Sequence, residues 1–201
     1  LASPDGPDPV GVWKVMKDGN PTGTVTMTAA PKGNRRYMLS WEVPEGNYTG
    51  IGLMRDNHLF AAWGAKANGV MVIRRDGNRW AADWLGTTQS DEQLGGEIFK
   101  GGETLEGTHE VDGTNPNGTK YTGSVTIEKT GDTYAFTWTV AGATYPGIGI
   151  DAGEGKVVAA YGKNNFGVID YDMSNTDEVV QGRWSAHGQR VIGIERIRRR
   201  R

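Results

Sequence analysis

From about residue 10 onward, apolar and polar side chains alternate in short segments rich in Val, Ile, Thr, Tyr and Trp, each ended by Gly, Asn, Asp or Pro. A period of two with frequent breaks marks extended backbone, in which successive side chains face opposite sides. The pattern predicts strands over 10–16, 23–29, 35–43, 47–54, 58–64, 69–75, 79–85 and 94–99. It predicts eight more over 105–111, 120–129, 132–140, 143–151, 156–162, 166–172, 179–186 and 190–198. No stretch carries a helical period.

The two sets of strands are copies of one another. Tyr37, Trp41, Tyr48, Gly50 and Gly52 recur 97 positions later as Tyr134, Trp138, Tyr145, Gly147 and Gly149. Asn20-Pro21 matches Asn115-Pro116, and Gly69-Val70 matches Gly167-Val168, at offsets that shift where loops differ in length. The chain is an internal duplication of a unit of about 95 residues. Eight short strands joined by tight turns form an antiparallel meander, and closing it removes unpaired edges. The expected fold is all-β: two tandem eight-stranded antiparallel up-and-down barrels, with one pseudo-twofold sixteen-stranded barrel or sandwich as the alternative. The expected division is a flexible leader over 1–9, rich in proline, a first barrel over 10–102 and a second over 103–199.

Hairpin geometry predicts which faces turn inward. A turn at Pro44, Glu45 and Gly46 would set Trp41 opposite Thr49, Leu39 opposite Ile51 and Tyr37 opposite Leu53, with Leu59, Ala61 and Trp63 on the next strand. The same count sets Tyr134, Phe136 and Trp138 opposite Ile150, Ile148 and Pro146, then Val157, Ala159 and Tyr161. Gly50, Gly52, Gly147 and Gly149 would then face outward, where they either coil the barrel wall or let the repeats pack together. The rows Trp41, Thr49, Trp63 and Trp138, Pro146, Tyr161 either close one end of each barrel as core or line a pocket. On the second view Tyr37, Trp41, Thr49, Trp63, Tyr134, Trp138 and Tyr161 are the candidate ligand-binding residues, and Tyr48 and Tyr145 add polar tips.

Composition narrows the chemistry. Glycine supplies 31 of 201 residues, as a turn-rich β protein requires. A formal net charge of −2 gives no field for nucleic acid, and Arg196, Arg198, Arg199, Arg200 and Arg201 read as a solvated tail. There is no cysteine, and His58, His109 and His187 neither recur nor show ligand spacing, so no metal and no cofactor are expected. Aspartates sit in turns, and nothing selects a catalytic pair. No apolar run approaches the roughly 20 residues of a membrane-spanning helix. Trp84 corresponds to Trp184 and Glu97 to Glu195; a buried glutamate there needs a partner such as arginine, which Arg183 offers in one copy while Asp83 stands in the other.

The second copy, with NPNGTKYTGSVTI, GDTYAFTW, YPGIGI, AAYG, GRW and GIERI, resembles repeats of secreted bacterial β-barrel proteins often labelled "fibronectin-binding protein". The resemblance covers 107–197 and, more loosely, 10–99. Gly11-Val12-Trp13 is similar to the Gly-x-Trp opening of lipocalins and avidins, eight-stranded barrels that hold small ligands. His109 stands where the first copy has Trp13, and the first copy lacks a counterpart of Tyr121, so an avidin-like biotin site is not expected. The first resemblance implies adhesion to host matrix and a secreted, periplasmic or cell-envelope setting, while the aromatic rows lead to a non-enzymatic binding protein that takes a small apolar or aromatic ligand in a barrel. A structural or adhesive module that meets an extracellular protein partner through its outer surface, and a small barrel enzyme of cyclase or isomerase type, are the alternatives. Filled barrels would favour the first alternative and an acid-containing cavity the second.

Overall fold

The computed structural model describes residues 6–31, 34–64, 69–87 and 93–201. Every expected strand is present: β1 (Gly11–Lys17), β2 (Asn20–Ala29), β3 (Arg36–Val43), β4 (Gly46–Arg55), β5 (His58–Gly64), β6 (Gly69–Asp76), β7 (Arg79–Gly86) and β8 (Gly95–Phe99). The second set is β9 (Gly107–Thr114), β10 (Lys120–Thr130), β11 (Thr133–Val140), β12 (Ala143–Gly153), β13 (Lys156–Tyr161), β14 (Phe166–Asp172), β15 (Val180–Ala186) and β16 (Gly193–Arg199). Of the expected leader, residues 1–5 lie outside the described residues. The rest is tied down: Trp13 Nε1 donates to the Pro9 carbonyl at 2.9 Å, and Arg199 donates to the carbonyls of Asp8 and Val10.

The strands close into two eight-stranded antiparallel barrels. The chain does not divide between them near residue 102. The first barrel runs β1-β16-β15-β14-β5-β4-β3-β2, and the second β10-β11-β12-β13-β6-β7-β8-β9. Each therefore takes five strands from one copy and three from the other. β5 pairs with β14, Gly64 opposite Phe166, and β13 pairs with β6, Tyr161 opposite Gly69. In a simple meander β5 would turn back onto β6; the two copies have exchanged their last three strands, each keeping the equivalent neighbour.

The residues of the exchanged joint explain why the barrels stay together. β5, β6, β13 and β14 are apolar on both faces, so covering one face against a barrel interior leaves the other to be covered too. Leu59 and Ala61 face one interior, and Phe60 and Ala62 face outward. The outward set, Leu53, Phe60, Ala62, Phe166 and Val168 of the first barrel and Val70, Val72, Leu85, Ile148, Ile150, Val158 and Ala160 of the second, forms a third core between the barrels. Burial of one such larger side chain is worth about 1.5–3 kcal/mol. The polar contacts at its rim, Arg55 Nη2 to Asp83 Oδ2 at 3.5 Å and Lys156 Nζ to Asp56 Oδ2 at 3.2 Å, are exposed pairs worth about 0–1 kcal/mol each. Apolar burial, then, fixes the two barrels against each other.

The expected register slips by one residue on β4 and β12. The turn after β3 holds only Pro44 and Glu45, so Val43 pairs with Gly46, Trp41 with Tyr48, Leu39 with Gly50 and Tyr37 with Gly52. Likewise Ala141 and Gly142, with positive φ of 52° and 77°, make the two-residue turn that pairs Val140 with Ala143 and Trp138 with Tyr145. A shift of one residue exchanges the faces of a strand. Thr49 and Pro146 therefore point outward, Ile51, Leu53, Ile148 and Ile150 join the core between the barrels, and the glycines turn inward. There they make room: a Cβ on Gly147 would lie 2.4 Å from the Trp138 ring, and one on Gly50 only 2.2 Å from the Ala62 carbonyl oxygen.

His109 and Trp13, which differ between the copies, do the same work. His109 Nδ1 accepts from the Gly101 N–H at 2.9 Å, so Nε2 carries the proton and donates to the Leu105 carbonyl at 2.8 Å, four residues upstream, as Trp13 donates to Pro9.

The strand exchange makes a direct prediction. A protease site placed after Gly102 and cut in the folded protein should leave one species of unchanged size on gel filtration, its halves parting only in denaturant. Two separately folded halves eluting under native conditions would show that each copy closes its own barrel.

Candidate functional site

Each barrel is hollow at the same end, beneath the β3–β4 or β11–β12 hairpin. In the first, a cavity of about 540 Å³ is lined by Trp41, Tyr48, Trp63, Ile169, Trp184 and Glu195, with Lys17, Glu45, Arg196 and Arg198 toward its mouth. In the second, a cavity of about 340 Å³ is lined by Met71, Trp84, Glu97, Asn115, Tyr121, Trp138, Val140, Ala141, Tyr145 and Tyr161. Both volumes lie in the range of small-molecule sites.

The hollowness comes from a repeated local device, an aromatic residue paired across strands with a glycine. Trp84 pairs with Gly95, Tyr161 with Gly69, Tyr121 with Gly113, Trp63 with Gly167, Tyr171 with Gly182 and Trp184 with Gly193. Each ring lies over the bare backbone of its partner; a Cβ on Gly95 would fall 1.9 Å from the Trp84 ring, and one on Gly69 2.1 Å from Tyr161. Rings laid along the wall line the lumen without filling it.

A glutamate stands in each cavity. Glu97 of β8 is 5% exposed; Tyr121 Oη donates to its Oε1 at 2.8 Å and Trp138 Nε1 to its Oε2 at 3.1 Å. Glu195 of β16 is partly buried; Tyr171 Oη donates to its Oε1, and Trp41 Nε1 donates to Tyr171 Oη at 2.9 Å. Desolvation pushes the Glu97 carboxyl up to about 7 despite two donors that favour its charge, and Glu195 is raised for the same reason. The hydroxyls answer in turn: burial, then the neighbouring carboxylate, holds Tyr121, Tyr161 and Tyr171 well above the usual phenol range. Arg183, the arginine that the sequence offers as a partner for Glu195 alone, instead donates across the barrel joint to the Asp151 carbonyl at 2.7 Å. One donor is unused. The Trp84 indole N–H is buried beside the Tyr121 hydroxyl, near enough to favour its ionised form as a hydrogen-bond donor does, yet out of hydrogen-bonding geometry.

Of the seven expected site residues, the structure brings Trp41 and Trp63 into the first cavity and Trp138 and Tyr161 into the second. Tyr37 and Tyr134, half-buried, pack against the barrel cores away from the cavities. Thr49 is exposed on the outer wall opposite Ser40, because the two-residue turn puts Tyr48 beside Trp41 instead. Glu97, Glu195, Tyr121, Tyr171, Trp84 and Trp184 were not expected as site residues. The two glutamates carried a signal, their recurrence at matching strand positions; the two tyrosines carried none, since the first copy lacks a counterpart of Tyr121 and has Ile73 in the place of Tyr171 when Gly69 and Gly167 are aligned. Among the described residues no group of histidines and carboxylates is arranged to hold a metal ion.

No family model, no curated protein and no solved structure matches this chain.

The glutamate makes stability depend on pH. Glu97 titrates at about 7 in the folded protein against 4.5 when free, so the fold holds its proton longer than the unfolded chain does. Its contribution is complete below about pH 4.5 and is lost as pH rises through 7, a change on the order of 3 kcal/mol. His58, raised chiefly by its 2.7 Å hydrogen bond to Asp170, titrates in the same sense, so the comparison needs a variant. Glu97→Gln should lose less Tm than the parent between pH 5 and pH 8 in thermal denaturation. Equal losses would mean that burial of Glu97 does not perturb it.

Proposed function

We propose that the protein binds small molecules in the hollow ends of its two barrels and does not transform them. The observation that carries this is that both copies leave the same end open and aromatic-walled around a buried glutamate. Neither barrel is filled there, so the likeness to an adhesive module that acts only through its outer surface loses its main support. Aromatic walls supply apolar contact at little entropic cost, while the carboxylate and the idle Trp84 N–H fix the orientation of a polar head. An extracytoplasmic setting belongs to the proposal and rests on the sequence resemblance alone.

One observation favours a second reading. A carboxyl group titrating near 7 beside a tyrosine hydroxyl is placed for proton transfer, as a small barrel isomerase would use it. Binding accounts better for the pair of sites, because the two cavities share the glutamate but approach it with tyrosines from different strands, whereas proton transfer to one substrate atom demands one geometry.

Tyr48 and Tyr145, each about a third exposed at the cavity mouths, test the proposal without disturbing the core. Small aromatic compounds should change tryptophan fluorescence saturably, and Tyr48→Ala and Tyr145→Ala should each weaken one of two sites about tenfold at unchanged Tm. If no compound saturates the signal, or both variants bind as the parent does, the cavities are not the binding sites. Steady conversion of a bound compound would favour the isomerase.

A further inference from the structure

The two cavities differ in charge, and the difference names a ligand class for one of them. In the first, Glu195 shares its cavity with two further acids, Asp18 and Glu45, and with three cations, Lys17, Arg196 and Arg198, that can meet them. In the second, Glu97 is the sole charged residue among those lining it, and it is the more deeply buried of the two. A carboxylate offers about four acceptor positions. Tyr121 and Trp138 take one on each oxygen, leaving acceptor capacity directed into a low-dielectric space with no cation to meet it. Around it stand Trp84, Trp138, Tyr121, Tyr145 and Tyr161, with Tyr161 edge-on to both Trp84 (6.4 Å, 86°) and Trp138 (6.0 Å, 66°). Ring faces set at steep angles around one anion form an environment that attracts positive charge from several sides.

We infer that the cavity of the second barrel is a site for a small organic cation, an arylalkylammonium ion whose N–H groups fill the unused acceptor positions of Glu97 while its body lies among Trp84, Trp138, Tyr145 and Tyr161. This rests on the binding function proposed above. The ligand supplies the counter-charge that the protein omits, and the Trp84 N–H is a donor for an oxygen elsewhere on the same molecule. The titratable groups facing Glu97 are the hydroxyls of Tyr121 from β10 and Tyr161 from β13, both held neutral far above physiological pH, and Tyr145 from β12 at the mouth; the cavity holds no basic side chain among the described residues. Binding of a cation therefore strengthens as Glu97 loses its proton, and a neutral analogue lacks that gain.

Calorimetric titration of the whole protein with phenethylamine and with 2-phenylethanol, its neutral analogue, tests this. At pH 8 the amine should bind about tenfold or more tightly than the alcohol. Because the amine stays protonated throughout, the preference should shrink toward pH 5.5 as Glu97 is protonated, and Glu97→Gln should abolish it at pH 8. If that variant does not fold, the pH series on the parent decides. Amine and alcohol bound equally well would overturn the cation site and leave the binding function standing. Binding of neither would overturn both, and a preference indifferent to pH and to Glu97→Gln would overturn the assignment to Glu97.

Discussion

Four strands with apolar side chains on both faces set the terms for the rest of the molecule. A strand in an isolated eight-stranded barrel has a wet outer face, and β5, β6, β13 and β14 do not supply one. Phe60, Val70, Val158, Phe166 and Val168 must be covered, and the duplication provides the cover: the two barrels lay these faces against each other. Exchanging the last three strands at the same place costs nothing in pairing, since each strand finds the counterpart of its own neighbour in the other copy. The product is one body with three cores, two inside the barrels and one between them.

Holding the barrels together through their walls leaves the barrel ends free. At one end of each, cross-strand aromatic–glycine pairs lay rings along the wall, so these paired glycines and the hollow lumen have one cause. The pairs Trp84–Gly95 and Trp63–Gly167 show how ring and bare backbone occupy the volume that two ordinary side chains would fill. The hollow is thus built into strand pairing rather than carved by a missing side chain.

Strand positions were legible in the sequence to within about three residues at their ends, because alternation and turn residues report local geometry. The duplication was legible through Tyr37, Trp41 and their copies. What failed did so for two physical reasons. Face assignment on β4 and β12 depends on whether the preceding turn holds two residues or three, and Pro44, Glu45 and Gly46 allow either; the error set Thr49 beside Trp41 in the place that Tyr48 takes. The exchange of strands leaves local pattern unchanged, since β14 and β6 carry the same alternation, and only the two-faced apolarity of the four joint strands hints at it. The hydrogen-bond partners of the glutamates, Tyr121 and Tyr171, come from strands far away in sequence and have no counterparts in the other copy, so repetition could not reveal them.

That mismatch bears on what the glutamates are for. A buried carboxylate with no cation is a liability, and an apolar residue of similar size generally serves stability as well or better. Here each copy holds the glutamate at the same strand position and satisfies it in its own way, Tyr121 reaching from β10 in one barrel and Tyr171 from β14 in the other, each laid over a glycine. A residue serving only as packing would need no such separate support. Two unrelated tyrosines converging on one carboxylate position fit a requirement for the carboxylate itself, facing a lumen, which is the requirement that the proposed binding function would impose.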